Sequence, residues 1–326
     1  MKKILAITMA LVMMLSFAAC GSQAETPAAP AAPETETYYV GICQLVQHVA
    51  LDAATQGFMD ALTAELGDAV SFSNQNASND TAVCSTIVNQ FIAENADLIM
   101  ANATPALQAA AAANVDIPIL GTSITEYGVA LQIEGFNGTV GGNISGTSDL
   151  APLDAQAAML LEWFPDAQNV GLLYCSAEAN SQYQVDVVKA LLEEAGVTAT
   201  LYSFSDSNDL AAVCEAAVAA SDVIYVPTDN TVASNTALID NICRPAGIPV
   251  IAGEEGICSG CGVATLSISY YDLGYTTGQM AAKVLTGEAN ISEMAIEYAP
   301  ATPKFNAEIC ADLGLTPPSD DYVAIG

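Results

Sequence analysis

Short apolar runs alternate with stretches of helical period along most of the chain. Tyr38–Leu45 (YYVGICQL) predicts a strand, and Ala50–Leu66 puts Leu51, Ala54, Phe58, Ala61, Leu62 and Leu66 on one face of a helix. Val70–Phe72 predicts a short strand, Asn79–Asn95 a helix capped by Asn79 or Asp80, and Asp97–Ala101 (DLIMA) a buried strand. Pro105 suits the first turn of the next helix, where its missing N–H costs nothing, and Ile117–Leu120 predicts a further strand. A βαβα series of this kind implies a parallel sheet with helices on both faces.

The series then restarts. Helices are expected at Leu153–Phe164, Ser181–Ala195, Asp209–Ala220 and Thr231–Ala246. Strands are expected at Asn169–Tyr174, Thr198–Phe204, Asp222–Val226, Ile248–Ala252 and Val263–Leu266. A helix over Tyr271–Thr286 precedes weak strands near Ser292–Tyr298. The fold class is therefore α/β, with two Rossmann-like lobes on parallel sheets and a cleft between them. Crossings are expected near Gly146–Pro152 and Ser267–Tyr271. Lobe one takes 38–147 plus 268–326, and lobe two takes 148–267.

In a parallel sheet the carboxyl ends of the strands face one edge, where open α/β folds bind ligands. Those ends are polar here. Lobe one offers Gln44, Asn74–Asn76, Asn102–Pro105 and Gly121–Ser123; lobe two offers Ser176–Ser181, Thr228–Asn230 and Gly253–Glu255. Helix capping explains each such position separately. It does not explain Glu178 beside Asn180, or Asp149 in the crossing GTSDLAP.

The N-terminus lies outside this alternation. Lys2 and Lys3 precede the apolar run Ile4–Leu15, and small residues lead to Cys20, the order of an export signal. Residues 1–20 are expected to be a lipoprotein signal peptide with Cys20 as the lipidation site, because cleavage before a cysteine resembles the bacterial lipobox. Phe17 is a less usual residue in that motif, which leaves a plain secreted form open. The Ala/Pro/Glu-rich stretch 21–37 is expected to be a flexible tether.

Charge narrows the partners. The chain has 37 acidic residues against 6 Lys and Arg. Beyond Lys2 and Lys3 the basic residues are Lys189, Arg244, Lys283 and Lys304, which gives no basic patch for nucleic acid. A ligand carboxylate would have to be met by backbone N–H groups or hydroxyls. No metal and no cofactor is expected: His48 is the sole histidine, and Cys258-Ser-Gly-Cys261 has no second CxxC to complete a zinc site. That CxxC is expected to be a local disulfide or two free thiols rather than a redox centre.

His48 and Asp52 form an i, i+4 pair, expected to be a structural helix start near the cleft because no nucleophile motif accompanies it. Gly135–Gly146 lacks the strand-to-helix context of a phosphate loop and reads as a loop before the hinge. The chain is not expected to be an enzyme.

Six strings carry a resemblance: QLVQHVALD (44–52), NATP (102–105), GGNISGTSD (141–149), EANS (178–181), VPTDNTV (226–232) and YYDLGYTTGQMA (270–281). Together, in this order, they resemble the ABC-transporter substrate-binding lipoproteins linked to tryptophan and other aromatic amino acids, over nearly all of the chain from Tyr38. The resemblance implies a type I periplasmic-binding-protein fold closing on its ligand. Its implied partners are an ABC permease with its ATPase, and the membrane through a lipid anchor. The chain departs from the family pattern at Val49, where proline is usual, at Thr125-Glu126-Tyr127, at Tyr275 and in the CSGC segment.

On that reading the protein is an extracytoplasmic, membrane-anchored, monomeric solute-binding component of an importer. It binds a small zwitterionic solute, an amino acid with an aromatic one in view, by hinge closure. Nucleosides, neutral sugars and a sensory role stay open as alternatives. Asp149, Asp229, Glu178 and Glu254 are the candidates for an ammonium, with the two aspartates preferred. Thr104 and Ser123, or Ser148, are candidates for the carboxylate, and Gln44 and Asn180 for further hydrogen bonds. Asp229 and Asn230 are expected both to cap a helix and to touch ligand, so that Asp229→Ala costs more affinity than stability.

Overall fold

The computed structural model describes residues 36–325. The signal peptide, Cys20 and almost all of the expected tether lie outside the described residues. The first pass through lobe one runs β1 (Tyr38–Gln44), α1 (Val49–Leu66), β2 (Val70–Asn76), α2 (Thr81–Ala93), β3 (Leu98–Asn102), α3 (Thr104–Ala112), β4 (Ile119–Ile124), α4 (Tyr127–Leu131) and β5 (Ile144–Ser148). Lobe two opens with α5 (Leu153–Trp163), β6 (Asn169–Cys175), α6 (Ala179–Glu194), β7 (Thr198–Phe204), α7 (Leu210–Val218) and β8 (Val223–Val226). It continues through α8 (Asn230–Ala233), α9 (Thr236–Ala246), β9 (Val250–Ala252), α10 (Glu255–Cys261) and β10 (Ala264–Ser267). The chain returns to lobe one with α11 (Tyr270–Leu285) and β11 (Glu297–Tyr298), then ends in lobe two with β12 (Thr302–Phe305), α12 (Ala307–Leu313) and β13 (Val323–Ala324).

Lobe one has the sheet order β11-β5-β4-β3-β1-β2, with every pair parallel. Both faces are covered, and the alternation is visible residue by residue. Val40, Ile42, Leu98 and Met100 pack with Phe58 of α1 and Met280 of α11. Cys43, Ile99 and Ala101 point the other way, toward Phe91 of α2 and Leu107 of α3. Lobe two has the order β13-β12-β10-β9-β8-β6-β7, parallel except where β12 runs antiparallel to β10.

The pairing of β12 with β10 corrects one expected boundary: the chain from 302 onward belongs to lobe two and not to lobe one. Thr302 pairs with Ser267 and Phe305 with Ala264, and Phe305 packs on the core of that lobe. Three connections therefore join the lobes, after β5, after β10 and after β11.

Other local differences have local causes. The helix expected over Thr231–Ala246 is two helices, because Ser234 Oγ and Asn235 Nδ2 bind the carbonyls of Asn230 and Thr231 and end α8. The expected loop Gly135–Gly146 ends inside strand β5. Gly146 takes φ +143° there, and a Cβ would lie 2.0 Å from the carbonyl oxygen of Gly121 on β4, so only glycine permits this close pairing. Helix α10 absorbs the CSGC segment, and Cys258 and Cys261 are buried free thiols whose pKa values burial raises well above the ordinary range.

Candidate functional site

The carboxyl ends of both sheets meet across a narrow cavity. From lobe one it is lined by His48, just after β1, by Ser123 near the end of β4 and by Thr125, and from the outward crossing just after β5 by Asp149. From lobe two come Asn180 in the first turn of α6, Thr228–Asn230 after β8 and Glu254 after β9. Tyr270, on the return crossing, completes the wall with Leu51 and Ala233. The topology thus brings ligand-type side chains from separate strand ends to one place, as the polar rim in the sequence anticipates.

Asp149 is buried, and its Oδ2 accepts from the Tyr270 hydroxyl at 2.9 Å. Its Oδ1 has no hydrogen-bond partner in the protein. Burial raises its pKa to about 6, against the lowering effect of the Tyr270 hydrogen bond. Ser123 sits where the β4–β5 register shifts and takes φ +56°, a conformation disfavoured for a residue with a side chain. Its hydroxyl is also buried and unpartnered, as are Asn180 Oδ1 and His48 Nδ1. Orphaned buried polar atoms are rare in folded proteins. Four of them line this one cavity.

The other cavity carboxylates are engaged. Asp229 caps α8 by accepting from Val232 N at 2.9 Å, and its second oxygen accepts from Cys175 N at 2.7 Å. Burial, with Glu178 nearby, raises its pKa to about 8. Glu254 caps α10 through Gly256 N and Ile257 N, and burial raises it to about 7 despite those bonds.

Four expected contacts lie elsewhere. Gln44 is consumed in a network: its amide donates to Val46 O and Asp52, and it accepts from Thr55, which in turn accepts from Asn102. This network clamps the start of α1 to the sheet and also takes up Asp52, so the expected His48–Asp52 pair is not hydrogen-bonded. Ser148 donates to Thr125 O and accepts from Leu150 N. Thr104, buried at the start of α3, is not on the cavity wall. Glu178 stands behind the wall, accepting from Asn180, Asn230 and Thr231.

Sequence reasoning missed His48 and Tyr270 as lining residues. His48 had a signal, since it follows the carboxyl end of β1 on the same rim as the other candidates. Tyr270 reaches the cavity only because the crossing folds it back onto Asp149.

Two hydrogen bonds join lobe one to lobe two beside the strand ends. Asn79 Nδ2 donates to Thr231 Oγ1 at 3.1 Å, and His48 Nε2 lies 3.3 Å from Asn230 Oδ1. Two lobes joined by three connections and meeting over a buried polar cavity define a cleft-type binding protein.

Residues 39–316 match the ABC transporter substrate binding protein family, and the chain belongs to it. It is 36% identical over 256 residues to the tyrosine-binding protein of Clostridioides difficile (strain R20291), a match covering 77% of this chain and 73% of that protein. Among solved structures, a Streptococcus pneumoniae ABC domain in complex with L-Trp shares 30% identity with a TM-score of 0.84, covering 89% of this chain and 100% of the other. The ligand-free, open structure of CD0873 from Clostridium difficile shares more sequence, 36%, over the same coverage, yet its TM-score is 0.67. A glucose-galactose binding protein from Geobacillus stearothermophilus and an ABC sugar transporter subunit from Rhodobacter sphaeroides, at 13% and 16% identity, share the fold alone.

Proposed function

We propose that this chain captures a free amino acid with an aromatic side chain between its lobes and delivers it to an ABC permease driven by its ATPase. The observation that carries this reading is Asp149 Oδ1: a buried carboxylate oxygen without a protein partner, on the wall of the interlobe cavity. A ligand ammonium supplies the missing charge-assisted hydrogen bond. The Ser123 hydroxyl supplies a donor for the ligand carboxylate, and Leu51, Ala233 and the ring of Tyr270 supply apolar surface. The names of two relatives, one tyrosine-binding and one in complex with L-Trp, support the ligand class.

The protein acts without covalent chemistry. Ligand that touches both lobes stabilises the closed form, which is the form the permease receives. It works outside the cytoplasm as a monomer held to the membrane through lipid on Cys20. Among the described residues no helix is long and apolar enough to cross a membrane.

The test is a thermal-shift screen of the mature protein against amino acids, nucleosides and neutral sugars. Ligand at 100 times its dissociation constant adds about 2.7 kcal/mol of stability. A shift with tryptophan, tyrosine or phenylalanine is expected; a shift with nucleosides or sugars alone overturns the ligand assignment.

A further inference from the structure

Three of the four unpartnered atoms of the cavity share a polarity, the Ser123 hydroxyl being the one that can donate. Asp149 Oδ1 can only accept. Asn180 spends its amide N–H groups on Thr228 O at 2.9 Å and on Glu178 and Ser181 at 3.3 Å, so its orphaned Oδ1 is an acceptor too. The third atom, His48 Nδ1, takes its character from a chain of contacts that begins outside the cavity.

That chain starts at Glu178, buried behind the wall. Its carboxylate accepts from Asn230 Nδ2 at 2.6 Å and from Asn230 N at 3.0 Å. Each Glu178 oxygen also accepts from a backbone N–H, so the carboxyl group meets the Asn230 side chain as an acceptor, selects its amide nitrogen and turns its oxygen outward. That oxygen faces His48 Nε2 across the cleft and can only accept. Nε2 must therefore carry the ring proton, which leaves Nδ1 of the neutral ring as a bare lone pair. Burial keeps the ring below its ordinary pKa and so favours this neutral form. Glu178 accepts in the same way from Thr231 Oγ1, which then accepts from Asn79 Nδ2 of lobe one.

Resting on the amino-acid reading above, we propose that Glu178 is a positioning residue that fixes the hydrogen-bond polarity of the cleft through Asn230. His48 Nδ1 thereby joins Asp149 Oδ1 and Asn180 Oδ1 in an acceptor set that demands a primary ammonium. A primary ammonium carries three N–H donors, matching these three acceptors. Specificity thus rests on the amine, and Glu178 of lobe two sets the polarity of His48 on lobe one. A ligand lacking the amine leaves these acceptors buried and unpaired, the situation that yields the steepest discrimination in binding sites.

The test compares L-tryptophan with indolepropionate, the same molecule without its amine, by isothermal titration on the full mature protein. Wild type is expected to prefer tryptophan by about 100-fold or more. His48→Leu is expected to shrink that ratio about tenfold, and His48→Gln, whose amide can donate to Asn230 and still offer an oxygen, to restore most of it. Glu178→Gln brings its own N–H groups against the Asn230 amide and is expected to shrink the ratio as His48→Leu does. The ratio decides, because a merely structural role would weaken both ligands alike. An unchanged ratio in His48→Leu, with tryptophan still bound by wild type, overturns this inference and leaves the amino-acid reading standing. Failure of wild type to bind any amino acid overturns both.

Discussion

The Tyr270 hydroxyl donates to Asp149 Oδ2 at 2.9 Å, and the two residues sit on different connections between the lobes. Asp149 follows β5 on the outward crossing, and Tyr270 opens α11 on the return. One carboxylate oxygen is thus fixed by the hinge, and the other is left for the ligand. Asp149→Asn should cost about 2–3 kcal/mol of binding, roughly 30- to 160-fold, because it replaces a charge-assisted bond by a neutral one in a buried site. Tyr270→Phe should cost about tenfold, by leaving Oδ2 unpartnered. Titration calorimetry measures both, and tight binding by Asp149→Asn would place the ammonium elsewhere.

The raised pKa values give a pH dependence whose sign is opposite to that of an ordinary surface carboxylate. Asp149 at about 6, Glu254 at about 7 and Asp229 at about 8 all lie above their unfolded values of about 4. The folded state holds these protons more tightly than the unfolded state, so their contribution to stability is greatest at acid pH and declines as pH rises toward 8. His48 acts the other way, since its lowered pKa costs stability as pH falls below about 6.5. Between about 6.5 and 8 the carboxylates dominate, and the Tm of the ligand-free protein should fall across that window. A bound ammonium favours ionised Asp149, so affinity should weaken as pH drops below about 6. Thermal melts with and without ligand, from acid to mildly alkaline pH, check both signs.

Asp229→Ala carries a different expectation from the one its sequence context suggests. Both oxygens are spent on backbone N–H groups, Val232 within its own helix and Cys175 at the end of β6. The substitution removes a cap worth about 1 kcal/mol and leaves the buried Cys175 N–H unpaired at a further cost of about 1–3 kcal/mol. Stability should drop by that sum and affinity should follow only indirectly. Chemical denaturation paired with titration of the folded variant separates the two; a variant of unchanged stability that no longer binds would restore direct ligand contact.

The alternation of apolar runs and helical faces was enough to read two parallel-sheet lobes, because strands buried on both faces leave long uninterrupted signals such as DLIMA. The rim of polar strand ends was legible for the same reason. Which members of the rim reach a ligand was not. Gln44 and Asp149 look alike as polar residues at strand ends, yet Gln44 is saturated by Val46, Asp52 and Thr55 while Asp149 keeps an open oxygen. That difference depends on partners distant in sequence, as does the polarity of His48, set from Glu178 about 130 residues away. The short pairing of β12 with β10 was hidden because a four-residue, half-buried strand carries little periodicity.

Helices α1 and α11 link this site to the core. His48 immediately precedes α1, Tyr270 begins α11, and the two helices cross where a Cβ on Gly274 would lie 1.9 Å from the carbonyl oxygen of Ala54. That atom belongs to a helix backbone and cannot swing aside, so Gly274→Ala must force the helices apart. Overpacking of this kind costs about 1–3 kcal/mol, which in a protein of this size lowers Tm by several degrees. The same displacement separates His48 from Tyr270, so affinity should fall even though Gly274 does not line the cavity. Surface glycines with open space around them provide the control: a Cβ on Gly287 would meet nothing within 4 Å, but the residue takes φ +72°, so its alanine variant should lose a little stability through backbone strain and bind ligand normally. If Gly274→Ala lost stability and kept full affinity, the helix crossing would be a feature of the core alone.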